Sequence, residues 1–253
     1  MKNFFISHFF IFSLILAEIS DFDKGLEHYK SRSESAVGYN VKSEPIDNAI
    51  KQFKKASIDM ELDAGIYLMR SYYFKGKFIA KTDEEKKKVF SKGKDLGEKL
   101  IISFPESVAA RYWFLVNLGS WSEVYGIFAA AKEGVANLMR DHAKKIIELD
   151  SKYSNGGGYF MLGAVHYKSP YIPFVLSWPD NGKAIKYLTM AFDTGISTPS
   201  QTVYLARALY KDGQKDIARS TLIDLLKQPY SVNDKVEDFD QHQIAKNLLE
   251  EWK

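Results

Sequence analysis

Cysteine is absent from this chain of 253 residues. Disulfides, zinc sites built on thiolates and lipid attachment to a cysteine are therefore excluded. Strand signals are also scarce, because no segment alternates apolar and polar residues for long and no Asn-Gly turn separates two β-branched runs. The 35 basic residues nearly balance the 32 acidic ones, and no clustered basic surface indicates a nucleic-acid partner. We therefore expect a helical protein that is stabilised by burial alone.

The beginning of the chain has the layout of an export signal. A lysine precedes an apolar run from Phe9 to Leu16, and the small residue Ala17 follows. The run is too short to span a bilayer comfortably, so it predicts a secretory signal peptide over residues 1–17. We expect a periplasmic protein that is not a lipoprotein. Its remaining residues, 18–253, form a single domain without an integral membrane segment. The alternative is an uncleaved N-terminal segment that tethers the protein.

One spacing of small or apolar residues recurs along the rest of the chain. Offsets of four and then three residues place three such side chains on one helix face, where small residues let a neighbouring helix approach closely. This is the second-helix pattern of a tetratricopeptide repeat. The five copies are Ala49, Phe53 and Ala56; Gly93, Gly97 and Leu100; Met139, Ala143 and Ile146; Ala184, Leu188 and Ala191; and Ala218, Leu222 and Leu225.

The distances between these copies support the same architecture. Ala184 and Ala218 are 34 residues apart, which is the length of a tetratricopeptide repeat. The earlier copies lie further apart and imply longer helices or insertions. We predict an all-α, tetratricopeptide-like array of about five helix pairs, with a capping helix within residues 234–252. A HEAT-like array, whose period is about 40 to 47 residues, is the alternative.

The densest glycine cluster of the chain is Gly156–Gly158. No strand precedes it and no Gly-Lys-Ser/Thr follows it, so a phosphate-binding loop is not indicated. We expect these glycines to form the turn between two repeats, where a residue with positive φ ends a helix. Gly163 has a different predicted role, as the small residue at a tight crossing between the two helices of one repeat.

No arrangement of residues predicts catalysis or metal binding. The five histidines lack the spacing of metal ligands, and there is no Gly-x-Ser-x-Gly elbow. A single Ser-x2-Lys, at Ser91 and Lys94, lacks the partner motifs of the penicillin-binding enzymes. We therefore predict a protein without enzymatic activity, cofactor or metal.

Two aromatic-rich segments, residues 111–125 and 168–180, are candidate binding regions. The second contains three prolines, which forbid a regular helix, and it lies where a repeat ordinarily has a short turn. We expect this apolar insertion to bury Phe174 and Trp178 against the array, with contact to a ligand or partner as the alternative. The candidate ligand- or partner-binding residues are Trp113, Asn117, Trp121, Tyr125, His166, Tyr171 and Trp178.

Four elaborated repeat signatures occur in order between residues 105 and 225. They are Tyr112-Trp113 with Asn117-Leu118-Gly119-x-Trp121, then Ile147–Tyr153, then Gly156-Gly157 with Leu162-Gly163-x2-His166-Tyr167, and then Lys183-Ala184 with Ala191-Phe192. Together they resemble the T-component proteins associated with TRAP transporters. Two features depart from that family: many members are lipoproteins, whereas this chain has no cysteine, and Ser177-Trp178-Pro179 replaces a glycine pair after the proline-rich turn.

The resemblance implies a periplasmic interaction protein that docks a solute-binding subunit. It also implies contact with a hydrophobic or organic-acid ligand in a cavity, and assembly into homo-oligomers. The expected function is therefore a binding and scaffold module that acts through the concave surface of the array. Two alternatives are a carrier of a small hydrophobic ligand and a general scaffold for cell-envelope assembly.

Overall fold

The computed structural model describes residues 19–253, which are predominantly helical. The α-helices are α1 (Asp21–Lys30), α2 (Glu44–Ala56), α3 (Glu61–Phe74), α4 (Asp83–Ser103), α5 (Val108–Tyr125), α6 (Ile127–Lys132), α7 (Val135–Leu149), α8 (Tyr153–Lys168), α9 (Asn181–Asp193), α10 (Pro199–Lys211), α11 (Lys215–Leu226) and α12 (Lys235–Glu251). The predicted leader, residues 1–17, lies outside the described residues. Between residues 19 and 253, no helix is both long and apolar enough for a membrane span.

Pairs of polar residues determine where several of these helices begin. At the start of α4, Thr82 Oγ1 accepts a hydrogen bond from the Glu85 N–H, and the Glu85 carboxylate accepts one from the Thr82 N–H, both at 3.2 Å. Thr198 and Gln201 form the same reciprocal pair at α10. Each pair satisfies two N–H groups that a helix N-terminus otherwise leaves unbonded.

The helices form the five pairs that the repeat spacing predicts. The pairs are α1 with α2, α3 with α4, α5 with α7, α8 with α9 and α10 with α11. The second helix of each of the first four pairs also packs on the first helix of the next pair. All fifteen residues of the recurring pattern lie on the second helices. Met139 is half-buried and the other fourteen are buried. The predicted all-α array of helix pairs is therefore confirmed.

The glycines near the start of α8 have two different roles. Gly156 has a φ of +75°, in the left-handed region that favours glycine, and with Ser154 and Asn155, which also have positive φ, it forms a turn within the first residues of α8. Gly157 and Gly158 are instead buried at close approaches of neighbouring helices, where an added Cβ would lie 2.6 Å from Tyr112 and 2.8 Å from Ile146. The prediction of a turn holds for Gly156 and is wrong for the next two glycines.

Two insertions separate the helices of the third and fourth pairs. The short helix α6 lies between α5 and α7, and a loop over residues 169–180 lies between α8 and α9. The loop packs on the array through Leu176, which is 1% exposed, and through Trp178, whose Nε1–H donates to Asn137 Oδ1 at 2.7 Å. Phe174, predicted to be buried, is fully exposed and has a φ of +63°, so that prediction is wrong.

The C-terminal helix α12 packs on α10 and α11, as expected of a capping helix. It also reaches the first repeat. Arg32, directly after α1, donates to the carboxylates of Asp234 and Glu237, and Val236 is buried in the same core cluster as Tyr29. Lys77, after α3, lies 3.1 Å from Asp240. The array therefore closes on itself instead of ending in an open stack.

Candidate functional site

The helices of the array line a cavity of about 530 Å³ that is partly open to solvent. Its walls come mainly from the first helices of the pairs, α3, α5, α8 and α10, together with α4, α6, α7 and α12. A volume of this size accommodates a small organic molecule. The aromatic residues of the wall are Tyr73, Phe90, Tyr112, Trp113, Phe160 and Tyr204.

An aromatic cluster forms one side of this cavity. The ring of Trp113 lies 5.6 Å from that of Tyr112 in an edge-to-face arrangement and 6.2 Å from that of Tyr73. Burial raises the pKa of Tyr112 and of Tyr73 above the usual value of a phenol. Both hydroxyls therefore stay protonated at neutral pH and can donate hydrogen bonds.

Two ion pairs lie in the cavity wall. Lys168 Nζ lies 2.8 Å from Glu123 Oε1 and 5.7 Å from the centre of the Tyr204 ring. Burial disfavours the charge on Lys168, but Tyr204 and Glu123 outweigh that effect and raise the pKa of its ammonium group. Lys77 is paired with Asp240 in the same way. The rest of the wall combines aromatic and aliphatic side chains with Lys86 and several hydroxyl and amide groups.

A second part of the lining lies under the short helix α6. It consists of small and aliphatic side chains, namely Ile127, Ala130, Ala131, Val135, Ala136 and Met139. Alanine side chains are too short to fill the space between helices, which leaves room for an apolar group. The insertion of α6 thus adds apolar lining to the cavity.

Of the seven predicted binding residues, only Trp113 lines the cavity. Asn117 is completely buried, and its amide donates to the carbonyl oxygens of Met69 at 3.1 Å and Trp113 at 2.9 Å. A Cβ on Gly93 of α4 would lie 2.1 Å from Asn117 Oδ1. Asn117 therefore joins α3, α4 and α5, and the structure gives it a packing position away from the cavity lining.

Trp121 and Tyr125 lie together, but outside the cavity lining. Their rings stack at 4.4 Å with an interplanar angle of 16°. Lys87 of α4 lies over this stack, 4.3 Å from the Tyr125 ring, and the Tyr125 hydroxyl donates to Glu133 at 2.6 Å. The pair joins the end of α5 to α4 and to the segment after α6.

His166 and Trp178 form a contact beneath the inserted loop. Their rings lie 4.9 Å apart, edge to face, and the Tyr187 ring stacks on the histidine at 5.7 Å. Burial lowers the pKa of His166 to about 4, so the imidazole is neutral at pH 7. Tyr171, in contrast, is 64% exposed on the same loop. The seven residues are thus distributed over separate places and do not form one site.

Most residues of the aromatic wall were not among the seven predicted binding residues. Tyr73, Tyr112, Phe160 and Tyr204 each lie on the first helix of a pair, on the side that faces the cavity. First helices have a looser signature than second helices, because their inward positions hold varied side chains. Each of these helices also carries other large aromatic residues, such as Tyr67 on α3 and Tyr210 on α10, so the sequence alone does not single out these four.

Comparison with known proteins supports the fold but not a particular family. No protein-family model matches the sequence, and no curated protein matches it either. Among solved structures, a thermophilic TPR protein of Thermus thermophilus superposes with a TM-score of 0.61 at 15% identity, over 90% of this chain and 97% of that one. The fold is that of a tetratricopeptide-repeat protein. This likeness favours the tetratricopeptide prediction over the HEAT-like alternative, and at 15% identity it concerns the fold alone.

The described residues offer no metal site. Between residues 19 and 253, no group of three or more histidine, aspartate or glutamate side chains is arranged to hold an ion. The features that stand out on this tetratricopeptide fold are the cavity and the exposed part of the inserted loop at Tyr171, Phe174 and Val175.

Proposed function

We propose that this protein is a non-enzymatic binding module of the periplasm that docks a solute-binding subunit of a TRAP-type transporter and contacts the ligand of that subunit. The cavity of about 530 Å³ inside a closed tetratricopeptide array carries the proposal. Arrays of this kind act by presenting binding surfaces, and a concave cavity lined by aromatic side chains suits an organic ligand. The resemblance of the repeat signatures to the TRAP T-components supports the choice of partner.

Filling the cavity tests the ligand part of this proposal. Ala164 of α8 lines the cavity, so the substitution Ala164→Phe places a ring in the space that a ligand would occupy. We expect the affinity for N-phenyl-1-naphthylamine, a neutral apolar fluorescent compound, to fall by at least about tenfold, because a blocked pocket loses the apolar burial that drives such binding. A fluorescence titration measures the change.

The matched control is Ala129→Phe on the exposed side of α6. It adds the same ring to the exposed surface and not to the cavity, so we expect the affinity to stay within about twofold. A twofold change corresponds to well under 1 kcal/mol. Equal binding by both variants and the unaltered protein would contradict a ligand site in the cavity.

The tip of the inserted loop is the proposed docking surface for the protein partner. Tyr171, Phe174 and Val175 are 64%, 105% and 56% exposed. Such a contiguous apolar tip is a common feature of protein interfaces. Phe174 also has a φ of +63°, which costs a non-glycine residue on the order of 1 kcal/mol. A strained and exposed aromatic residue is better explained by contact with a partner than by stability.

The substitution Phe174→Asn separates docking from stability. Asparagine tolerates the left-handed region, so we expect the free energy of unfolding to be unchanged or raised by up to about 1 kcal/mol. Binding to a purified TRAP-type solute-binding protein should weaken by about 30-fold, the typical loss for an aromatic hot spot worth about 2 kcal/mol. Surface plasmon resonance measures the affinity.

Ile196, which is 85% exposed between α9 and α10, provides the control. The substitution Ile196→Asn removes an equally exposed apolar side chain from a different connection and should not change the affinity. If it weakens binding as much as Phe174→Asn, or if the unaltered protein does not bind the solute-binding protein, the docking proposal is wrong.

A further inference from the structure

The C-terminal helix α12 has two contact surfaces of different chemistry. Toward α10 and α11 it is apolar, because Ala245 and Leu248 are buried in one core cluster with Val203, Leu222 and Leu225. Toward the beginning of the chain it is mostly polar. Within residues 19–253, α12 brings its backbone close over several residues to α10 and α11, but not to α1, α2 or α3. Its contact with the first repeats is therefore made by side chains.

We call this second contact the seam. It consists of Arg32, Tyr39 and Lys77 on one side and of Asp234, Val236, Glu237, Phe239 and Asp240 on the other. The Asp240 carboxylate accepts a hydrogen bond from the Tyr39 hydroxyl at 3.1 Å and lies 3.1 Å from Lys77 Nζ. Burial and this carboxylate raise the pKa of Tyr39 to about 12, so its hydroxyl stays protonated and donates. The seam is thus held largely by charges and hydrogen bonds.

The two surfaces of α12 differ in what separation would cost. Hydrogen bonds and ion pairs of the seam can be replaced by bonds to water, so their net contribution to stability is modest. The apolar surface toward α10 and α11 has no such replacement in water. In a repeat array each helix pair contacts only its neighbours, so small rotations at several pairs add up at the two ends. The seam, which joins those ends, is therefore the contact that opens first.

The seam is also part of the cavity wall. Asp240 and Gln241 of α12 line the cavity on one side of it, and Tyr73 and Lys77 line the cavity on the other. Separation of these two sides would widen the opening of a cavity that is otherwise only partly open to solvent. Movements of this kind control access to many binding sites.

We propose that the seam is a reversible latch, which opens while α12 stays packed on α10 and α11 and thereby widens the entrance to the cavity. The opening itself is independent of the proposed function. The role of the latch in ligand access rests on the proposed ligand-binding function and adds a conformational step to it.

Two thiols on the same helix test the opening. The chain has no cysteine, so an introduced thiol is the only one. Val236 and Ala245 of α12 are both 0% exposed, but Val236 faces the first repeat and Ala245 faces α10 and α11. We expect N-ethylmaleimide to label Val236→Cys at least about a hundredfold faster than Ala245→Cys, because local opening exposes only the first thiol. Mass spectrometry measures both rates. Ser33→Cys, 1% exposed beside Asn233, replaces Val236→Cys if that variant does not fold.

The substitution Tyr39→Phe tests the hydrogen bond that holds the seam. It removes the bond to Asp240 and leaves the ring in place, so the Val236→Cys thiol should react about fivefold faster, which corresponds to about 1 kcal/mol. The matched control is Tyr125→Phe, which removes another hydrogen bond from a tyrosine to a carboxylate, that of Glu133, away from the seam. It should leave the rate within about twofold.

Locking the seam tests its role in access. Glu34 and Lys235 are exposed and flank Arg32 and Asp234, so Glu34→Cys with Lys235→Cys can be joined by a short bismaleimide. We expect association and dissociation of N-phenyl-1-naphthylamine each to slow at least about tenfold, with the Kd within about twofold, because a latch changes the path and not the site. Stopped-flow fluorescence measures the rates. The same double variant capped with N-ethylmaleimide is the control.

The outcomes separate the latch from the function that it would serve. Equal labelling of Val236→Cys and Ala245→Cys, or no faster labelling with Tyr39→Phe, overturns the latch and leaves the cavity as a ligand site. Selective labelling together with unchanged rates in the locked protein overturns the role in access. If N-phenyl-1-naphthylamine does not bind at all, the proposed ligand site and the role in access are both overturned, and the labelling rates still decide whether the seam opens.

Discussion

Replacing Arg32 by methionine is expected to lower the free energy of unfolding by about 3 kcal/mol, because removing one partner of a buried ion pair leaves the other charge buried and unpaired. Arg32 is 3% exposed, and its guanidinium donates to Glu237 at 2.7 Å and to the backbone carbonyl of Tyr29 at 3.2 Å. It also bonds Asp234, which is half exposed and can return to water.

The substitution Arg32→Met affects the Glu237 carboxylate most, because it removes the positive charge that lies beside it. One of its carboxylate oxygens is buried and has no hydrogen-bond partner among the described residues. Burial raises the pKa of Glu237 even though Arg32 opposes that effect. Without Arg32, the desolvated carboxylate loses its compensating charge. The closure between the first repeat and α12 should weaken accordingly.

A urea denaturation series tests this prediction. The double variant Arg32→Met with Glu237→Leu removes both charges and should recover most of the loss, since an apolar pair of similar volume replaces a buried ion pair at little cost. The control Lys227→Met breaks an ion pair whose two side chains are about 70% exposed and should change stability by less than about 0.5 kcal/mol. A loss below 1 kcal/mol for Arg32→Met would show that the closure contributes little.

The repeat pattern could be predicted from the sequence because each copy lies within a single helix. Each set of small or apolar residues, such as Ala184, Leu188 and Ala191, marks one helix face, and the distance between sets along the chain gives the pairing of neighbouring helices. The closure could not be predicted in the same way. Arg32 and Glu237 are 205 residues apart, and they meet only because every helix pair adds its own rotation to the array.

The candidate site was predicted less well for a related reason. Aromatic enrichment identified Trp113 but also Trp121, Asn117 and His166, which the structure places in packing contacts. The type of a residue does not show whether its side chain faces the cavity or packs between two helices. Phe174 and Trp178 illustrate the same difficulty, because they have similar chemistry and lie four residues apart, yet one is exposed and the other packs on Asn137.

Gly163 provides the sharpest test of the repeat alignment. The substitution Gly163→Val should lower the free energy of unfolding by about 3 kcal/mol, because overpacking between two helices forces them apart. A Cβ at this position would lie 2.6 Å from Leu188 Cγ and 3.0 Å from the Leu188 backbone nitrogen. A side chain can change rotamer, but a backbone nitrogen moves only if α9 moves away from α8. Shortening the leucine in the double variant Gly163→Val with Leu188→Ala should therefore not restore stability.

Gly182 gives a matched control on the neighbouring helix. It is exposed in the first turn of α9, and an added Cβ would meet only the Asp180 carboxylate, at 3.3 Å. The substitution Gly182→Val should therefore change stability by less than about 1 kcal/mol, since helix propensities of ordinary residues differ by no more than that. Thermal and urea unfolding of the two valine variants compare the positions directly. Equal stabilities would mean that α8 and α9 do not cross as closely as the structure indicates.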